Sequence, residues 1–478
     1  QSTWGSSSSR VSVKLKPISF PRWFDSNQRE MTWAFRHLAL LLFIAGGTAA
    51  FGGKAAKRTH AYATMMYMGT PRDYEFFVAT RVLIRSLSRL RVDADLIVIA
   101  SVDVPLPWVK SLEEGDEARV MRVENLKNPY ENQGNFDRRF KLTMNKLYAW
   151  RLVEYEKVVM LDADNLFLQK TDELFNCGDF CAVFINPCIF HTGLFVLTPS
   201  SEVFSSMVRA LENRLDNQDG ADQGFFGSYF PNLLDSPMFH PDNATSAHGL
   251  FRLPLGYQMD ATYYYLRLRW NVPCGPNSVI TFPGAVWLKP WYWYSWPILP
   301  LGIQWHEQRR LTIGYSTEVP MLAVSTLMFA GMICAAHMAR PSFHKLCRRR
   351  TEKNSLFLQI IAVVSILAAY VVPFFIIPCT VHPFVGWGVY LLCVFAGSSM
   401  VATLFMLPVF TVFALFLGLF GSLLVMAYPW YPDGVVRALS IFGYAFCCSP
   451  VVWSSLAKVV SLLHVSPERD VSSSPKSY

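Results

Sequence analysis

From His60 to about residue 310 the chain alternates short apolar runs with stretches of helical periodicity, and after Pro320 it turns into long apolar runs with brief polar breaks. In the first part "HAYATMMYM" reads as a strand, residues 74–89 as a helix, and "DLIVIAS" (95–101) as a second strand. Further strands are predicted over 118–123, 158–161 and 180–185, with a helical pattern over 141–152. Strands alternating with helices predict an α/β domain with a mostly parallel sheet. Such sheets bind ligands beyond the carboxyl ends of their strands. No Gly-x-Gly-x-x-Gly or Walker sequence opens a helix, which disfavours a Rossmann dehydrogenase or an ATPase.

The second part is measured against the roughly 20 residues that a helix needs to cross a bilayer. Residues 320–338 and 355–377 are candidate spans, 384–428 is long enough for two, and 434–463 supplies a fifth. The expectation is an α-helical transmembrane bundle of about five helices over 320–463, with 464–478 as a cytosolic tail. Residues 37–53 read as a signal peptide or signal anchor, and the serine-rich basic segment 1–36 as disordered. Arg340, Lys345, Arg348, Arg349, Arg350 and Lys353 follow the first span, which the positive-inside rule assigns to the cytosol. The domain at 60–310 then faces the secretory lumen, where Asn243-Ala244-Thr245 is a usable glycosylation sequon. Cys177, Cys181, Cys188 and Cys274 are an even set, compatible with two disulfides.

Composition sharpens this division. Hydrophobic residues make up 52% of the chain and charged ones only 16%, unusual for a purely soluble protein. The net charge of +8 owes much to the amino end and the basic segment after the first span, so no nucleic-acid partner is indicated.

The candidate chemistry lies in "EKVVMLDADNLFLQK" (156–170). Asp162 and Asp164 follow a buried strand and are two residues apart, so in extended backbone their carboxylates share one side. Two such acids repel unless a cation or a donor-rich ligand lies between them, and hard divalent cations prefer oxygen ligands. A strand ending in an aspartate-rich turn is the other reading.

"LDADNLFL", "FHTGLFVLTPS" (190–200), "GADQGFFGSYF" (220–230) and "FPGAVWLKPW" (282–291), in that order, resemble glycosyltransferase family eight, the glycogenin-like enzymes, over roughly residues 60–310. With its apolar tail the chain resembles most closely the plant members that act as inositol phosphorylceramide glucuronosyltransferases. The resemblance implies a nucleotide-sugar-binding fold of the GT-A type, a manganese ion (Mn2+) as cofactor and retention of anomeric configuration. It puts Asp162 and Asp164 on the family's metal-binding motif and Lys289, with Gly284 at the family spacing, on the donor phosphates. Asp222 and Gln223, with Asp219 as companion, fall where the family approaches the transferred sugar. Lys146 matches a lysine near the donor, which with Asp222 forms the candidate catalytic pair. Thr64, His191, Thr192 and Gly193 complete the donor-binding set.

This sequence departs from the family in two places. Thr281 stands where relatives complete the metal site with a histidine, with His306 a candidate substitute. His191 replaces a common asparagine, and it, Arg138 or Arg139 is a candidate to recognise the glucuronate carboxylate.

The aromatic run "PWYWYSWPILPLGIQW" reads as a headgroup-level belt, since tryptophan and tyrosine favour that depth. Taken together, the expectation is a Golgi multi-pass protein with a lumenal catalytic domain, moving glucuronate from UDP-glucuronate to inositol phosphorylceramide, a membrane sphingolipid. A polysaccharide glucuronosyltransferase, a glycogenin-like glucosyltransferase and a non-catalytic nucleotide-sugar-binding scaffold or transporter are the alternatives.

Overall fold

The computed structural model describes residues 58–134, 136–186, 189–241, 248–261, 278–282, 288–295, 298–347 and 371–404, with scattered positions in 361–370 and 443–457. The predicted amino-terminal segments, the sequon at Asn243, Cys188, Cys274, Gly284 and the tail lie outside the described residues, as do most of the last two predicted spans.

Strand β1 (His60–Met66) is apolar almost throughout because both of its faces are covered. Its tail turns through Gly69, at φ +107°, into helix α1 (Asp73–Arg89). The Asp73 carboxylate fixes that turn by accepting from the Gly69 and Thr70 backbone N–H groups at 3.0 and 2.9 Å. Phe77, Val78, Val82, Leu83 and Leu87 then recur at helical spacing and bury one face of α1.

The remaining strands of the main sheet are β2 (Asp95–Ser101), β3 (Arg119–Val123), β4 (Lys157–Leu161), β6 (Phe180–Asn186), β7 (Ile189–Leu197) and β8 (Leu250–Leu253). A smaller sheet holds β5 (Asn165–Phe167), β9 (Met259–Asp260) and β10 (Val279–Thr281). The seven-stranded sheet has the order β3-β2-β1-β4-β7-β6-β8. Its first four strands are parallel, as expected, but β7 runs antiparallel to both β4 and β6, so the sheet is mixed. The reason lies in "NPCIFHTG": β6 and β7 are consecutive and joined by a short connection, which only an antiparallel pairing permits.

The stretch expected as a helix over 141–152 is a 3-10 helix, Thr143–Arg151. Every side chain from Thr143 to Trp150 is buried, so no solvent face imposes the α period. Trp150 packs there between Phe195 at 5.8 Å and Phe226 at 5.5 Å, the latter on helix α3 (Asp222–Tyr229). Helix α2 (Ser201–Glu212) covers the same side.

Beyond the sheet come α4 (Leu299–Thr312), α5 (Val319–Cys347), a short apolar helix (Leu367–Ile376) and α6 (Pro383–Leu404). Within α5 and α6, Val319–Ser342 and Pro383–Val401 are long and apolar enough to cross a membrane. Arg340 and Lys345 lie on α5 itself rather than in a loop, because the helix continues past its apolar stretch.

The aromatic run differs from the expected headgroup belt. Trp291, Tyr292 and Trp293 are at most 3% exposed. Trp291 packs on Phe76 of α1 and Trp305 of α4, while Trp293 stacks on Phe374 and meets Trp387 and Tyr390 of α6. The rings find one another before they find lipid, and they form a seam between the sheet domain and the apolar helices. Polar contacts reinforce the seam. The Cys379 thiol donates to Glu75 of α1 at 3.1 Å, and buried Arg309 bonds the Thr380 carbonyl and the Glu318 carboxylate that precedes α5.

Gly386 tests this seam, since an added Cβ would stand 2.4 Å from Trp293 Cγ, whereas Gly331 has open space. Gly386→Ala should cost about 1–3 kcal/mol by overpacking, and Gly331→Ala almost nothing. Unfolding of the detergent-purified chain measures both.

Candidate active site

The site forms where four segments converge at the carboxyl end of β4. Asp162 leaves β4, and its backbone N–H is held at 2.8 Å by the Gly193 carbonyl on β7. The Asn165 amide bonds the same carbonyl at 2.6 Å and fixes the turn that carries both aspartates. Gly193 must be glycine for packing reasons: a Cβ there would lie 2.3 Å from Gln258 and 2.8 Å from the His191 ring.

Lys146, on the 3-10 helix, points into the centre. Its Nζ lies 2.8 Å from Asp162 Oδ1 and 2.7 Å from Asp222 Oδ2, and donates to the Thr192 carbonyl at 3.0 Å. The side chain is 3% exposed. Burial works against its charge, yet the Asp162 and Asp222 carboxylates outweigh that and hold the ammonium above its ordinary range. Asp222, at the start of α3, is likewise disfavoured by burial but held below the usual carboxylate range by Lys146 and by the Thr192 and Thr143 hydroxyls. Asp162 is the less well compensated acid. Burial pushes it up to about 6, opposed by Lys146 and aided by Asp164 and Asp222.

The second aspartate has its own lysine. Lys289 Nζ lies 2.6 Å from Asp164 Oδ2 and also bonds the Phe282 carbonyl. Asp164 Oδ1 is buried and has no hydrogen-bond partner among the described residues. An orphaned, buried carboxylate oxygen beside a second acid fits a hard divalent cation, with Asp162 and Asp164 as its protein ligands. His306, the candidate substitute ligand, belongs elsewhere. It is fully buried with Nδ1 2.7 Å from the Tyr315 hydroxyl, and its ring neighbours are Trp305, Tyr315 and His382. Thr281 sits on β10 between Asn165 and Asp260, with its hydroxyl buried and unpartnered among the described residues.

The other expected residues sort by contact. Thr192 is gathered in by Lys146, and Thr64, on β1 opposite Leu161 and Val98, keeps a buried hydroxyl without a described partner. Asp219 closes the turn before α3, accepting from the Ala221 and Gly224 N–H groups at 2.9 and 3.1 Å, so Asp219 rather than Asp222 meets the N–H groups at the helix start. Gln223 lies half-buried on the first turn of α3. The His191 Nδ1 accepts from the Gly193 N–H and lies 2.7 Å from the Gln258 amide, and burial lowers its affinity for a proton. It is an uncharged ring at neutral pH. Arg139 is paired with Asp137 at 2.8 Å, while Arg138 has no ion-pair partner among the described residues.

A cleft of about 630 Å³ opens beyond the carboxyl ends of β1, β2 and β3, lined among others by Tyr67, Gly69, Asp103, Asn125 and Arg138. The aspartates do not line it, but Tyr67 on its wall is within electrostatic reach of Asp162 and Asp222, and its basic residues Lys127, Arg138, Arg139 and Lys141 suit an extended ligand with an anionic end. Two residues that sequence reasoning missed shape it. Asn145 bonds the Leu126 N–H and the Asn125 side chain at 2.9 and 2.8 Å, so consecutive residues serve the rim and the centre. Tyr67 links cleft and centre: its hydroxyl is pushed up by burial and by Asp162 and Asp222. Adjacency to Lys146 and the end of β1 were the available signals.

A family model described as the PGSIP7 C-terminal domain matches residues 317–472. PGSIP7 of Arabidopsis thaliana, provisionally named a glucuronosyltransferase, is 63% identical over 418 residues, 86% of this chain and 85% of that one. Glycogenin-1 of Caenorhabditis elegans is 33% identical over 44% of this chain and 47% of its own. The chain belongs to the glycogenin-like family of glycosyltransferases. Inositol phosphorylceramide glucuronosyltransferase 1 of Arabidopsis thaliana is 30% identical over 54% of this chain and 47% of its own. PGSIP7 is therefore much nearer to this transferase than that protein is, which corrects the expectation of nearest likeness.

Two outcomes follow for this transferase. Below pH of about 6 a proton occupies Asp162, so a divalent cation must displace it, and its apparent affinity should fall up to tenfold per pH unit below that point and level off above it. Titration of the purified chain with manganese at several pH values reads this directly. Lys146→Met leaves buried Asp222 and the partly exposed Asp162 without their cation and should destabilise the fold by about 3–5 kcal/mol, as measured by denaturant unfolding.

Proposed function

We propose that the protein is a manganese-dependent retaining glucuronosyltransferase of the Golgi membrane that uses UDP-glucuronate and an inositol phosphorylceramide acceptor. The observation that carries the chemistry is the pair of aspartates at the end of β4, each held by its own lysine, beside a cleft of nucleotide size. Manganese between Asp162 and Asp164 would supply Lewis-acid stabilisation of the departing diphosphate. Lys289 is placed to exchange Asp164 for a donor phosphate, adding a fixed cation where negative charge develops. Lys146 keeps Asp222 and Asp162 ionised and oriented towards the sugar. The glucuronate carboxylate calls for a cation, and Arg138 on the cleft rim has a charge to give.

Several features support the setting. The relative at 63% identity carries a glucuronosyltransferase name, and a more distant one is named for inositol phosphorylceramide. The apolar stretch of α5 leaves Leu327 73% and Met338 81% exposed, a surface suited to lipid rather than water. The Cys177–Cys181 disulfide suits an oxidising lumen. Apolar helices joined to the reaction centre through the Lys289–Trp293 segment favour an acceptor that stays in the bilayer over a diffusing polymer.

Purified full-length protein given labelled UDP-glucuronate, manganese and both candidate acceptors should place label in the sphingolipid fraction. Asp164→Asn should lower that rate by about 100-fold or more, in the range of lost electrostatic stabilisation at a reaction centre. Arg138→Gln should shift the preference from UDP-glucuronate towards UDP-glucose. Label in polysaccharide, or transfer that Asp164→Asn leaves intact, contradicts the reading.

A further inference from the structure

Of the large apolar side chains described in the sheet domain, Leu106 is left most in solvent, at 75% exposed, with Val102 at 41% and Tyr74 at 39%. Val102 follows β2, and Leu106 opens a short helix, Leu106–Lys110. That helix is fastened by its other apolar residues. Val109 is buried in one cluster with Leu112 and Ala118, and the Trp108 ring stacks on Phe77 of α1 at 4.4 Å. Leu106 is left facing outward. A lone exposed leucine is ordinary on a soluble surface, so its meaning depends on what lies beside it.

The neighbour is the first apolar span. Tyr74 and Phe77 are three residues apart and share one face of α1, about 4.5 Å along its axis. On that face the Tyr74 hydroxyl lies 3.1 Å from Thr317 Oγ1 and donates to Glu318 at 3.3 Å. Helix α5 begins at the next residue, and its Val319, Met321 and Val324 are each more than half exposed. The helix bearing Leu106 therefore packs one turn of α1 away from the start of α5, and Tyr74, Val102 and Leu106 extend the apolar surface of that span onto the sheet domain. Glu113 and Glu114, exposed just beyond the short helix, leave this edge without an excess of positive charge, so neutral lipid suits it. The same loops line the cleft: Gly69 and Thr70 lead into α1, and Asp103 stands between Val102 and Val104.

We propose that Tyr74, Val102 and Leu106 form a membrane-resting edge of the sheet domain, which holds the mouth of the cleft against the bilayer surface. This rests on the reading of α5 as a membrane span and adds to it a second contact with lipid. Tyrosine and tryptophan suit the headgroup level, and leucine the acyl boundary beneath it. An acceptor lipid then meets the cleft without leaving its leaflet.

Photo-crosslinking in a bilayer tests the edge. The full chain with benzoylphenylalanine in place of Leu106, Leu327 or Val153 is reconstituted in nanodiscs of tritiated phosphatidylcholine and irradiated. Leu327, 73% exposed on α5, reports the span, whereas Val153, 56% exposed in the turn before β4, lies at the opposite end of the strands from the cleft. Position 106 should take up label to within about threefold of position 327 and roughly tenfold or more above position 153. Position 102 serves in place of 106 should that variant fail to fold. Label at 327 with no more at 106 or 102 than at 153 overturns the edge and leaves the span intact. No label at 327 defeats the span, and the edge with it. Crosslinks from position 106 to a protein rather than to lipid in native microsomes overturn the proposal in favour of a protein partner.

Discussion

One buried ammonium organises the catalytic half of this molecule. Lys146 reaches from the 3-10 helix to the carboxylate after β4, the carbonyl of Thr192 on β7 and the carboxylate that begins α3. Those groups come from distant parts of the chain, and two of them are acids that repel one another, Asp222 buried and Asp162 28% exposed. A charge taken out of water is tolerated only when paired and hydrogen-bonded, so each partner makes the others possible. The compensation is incomplete, because one ammonium serves two carboxylates, and Asp162 is left as the acid most open to a further cation.

That constraint explains the local backbone. The 3-10 helix packs Asn145 and Lys146 against different groups, one the cleft rim and the other the centre. Gly193 stays bare because Gln258 and His191 occupy the space beside it, while its carbonyl ties down the aspartate turn. Asp219 closes the turn into α3 and thereby frees Asp222 for the ammonium. The second lysine is delivered by the chain that leads into the aromatic seam, so the reaction centre and the apolar helices share one segment, from Lys289 to Trp293.

How much of this was legible in the sequence depended on the range of the interaction. Strand β2 was read with its observed bounds, and β1, β4, β6 and α1 to within a few residues, because apolar runs and helical periodicity are local signals. The aspartate pair was visible because two acids after an apolar strand need a physical reason. The antiparallel β7 was not foreseen, since strand direction is decided by pairing across the sheet. His306 looked like a ligand in a string of letters but lies among Tyr315, Trp305 and His382. The tryptophans after Lys289 were assigned to the lipid boundary on composition, and their burial became apparent only when Phe76, Trp305 and Trp387 came together from three other segments.

On this reading the two aspartates and two lysines hold a divalent cation and a diphosphate. Calorimetry of UDP binding to the purified chain, with and without manganese, decides whether they do. Binding should require the metal and be weakened about 50-fold or more in Asp162→Asn, in line with losing a charged ligand from the site. UDP binding of equal strength without the metal, or unchanged in that variant, would contradict it.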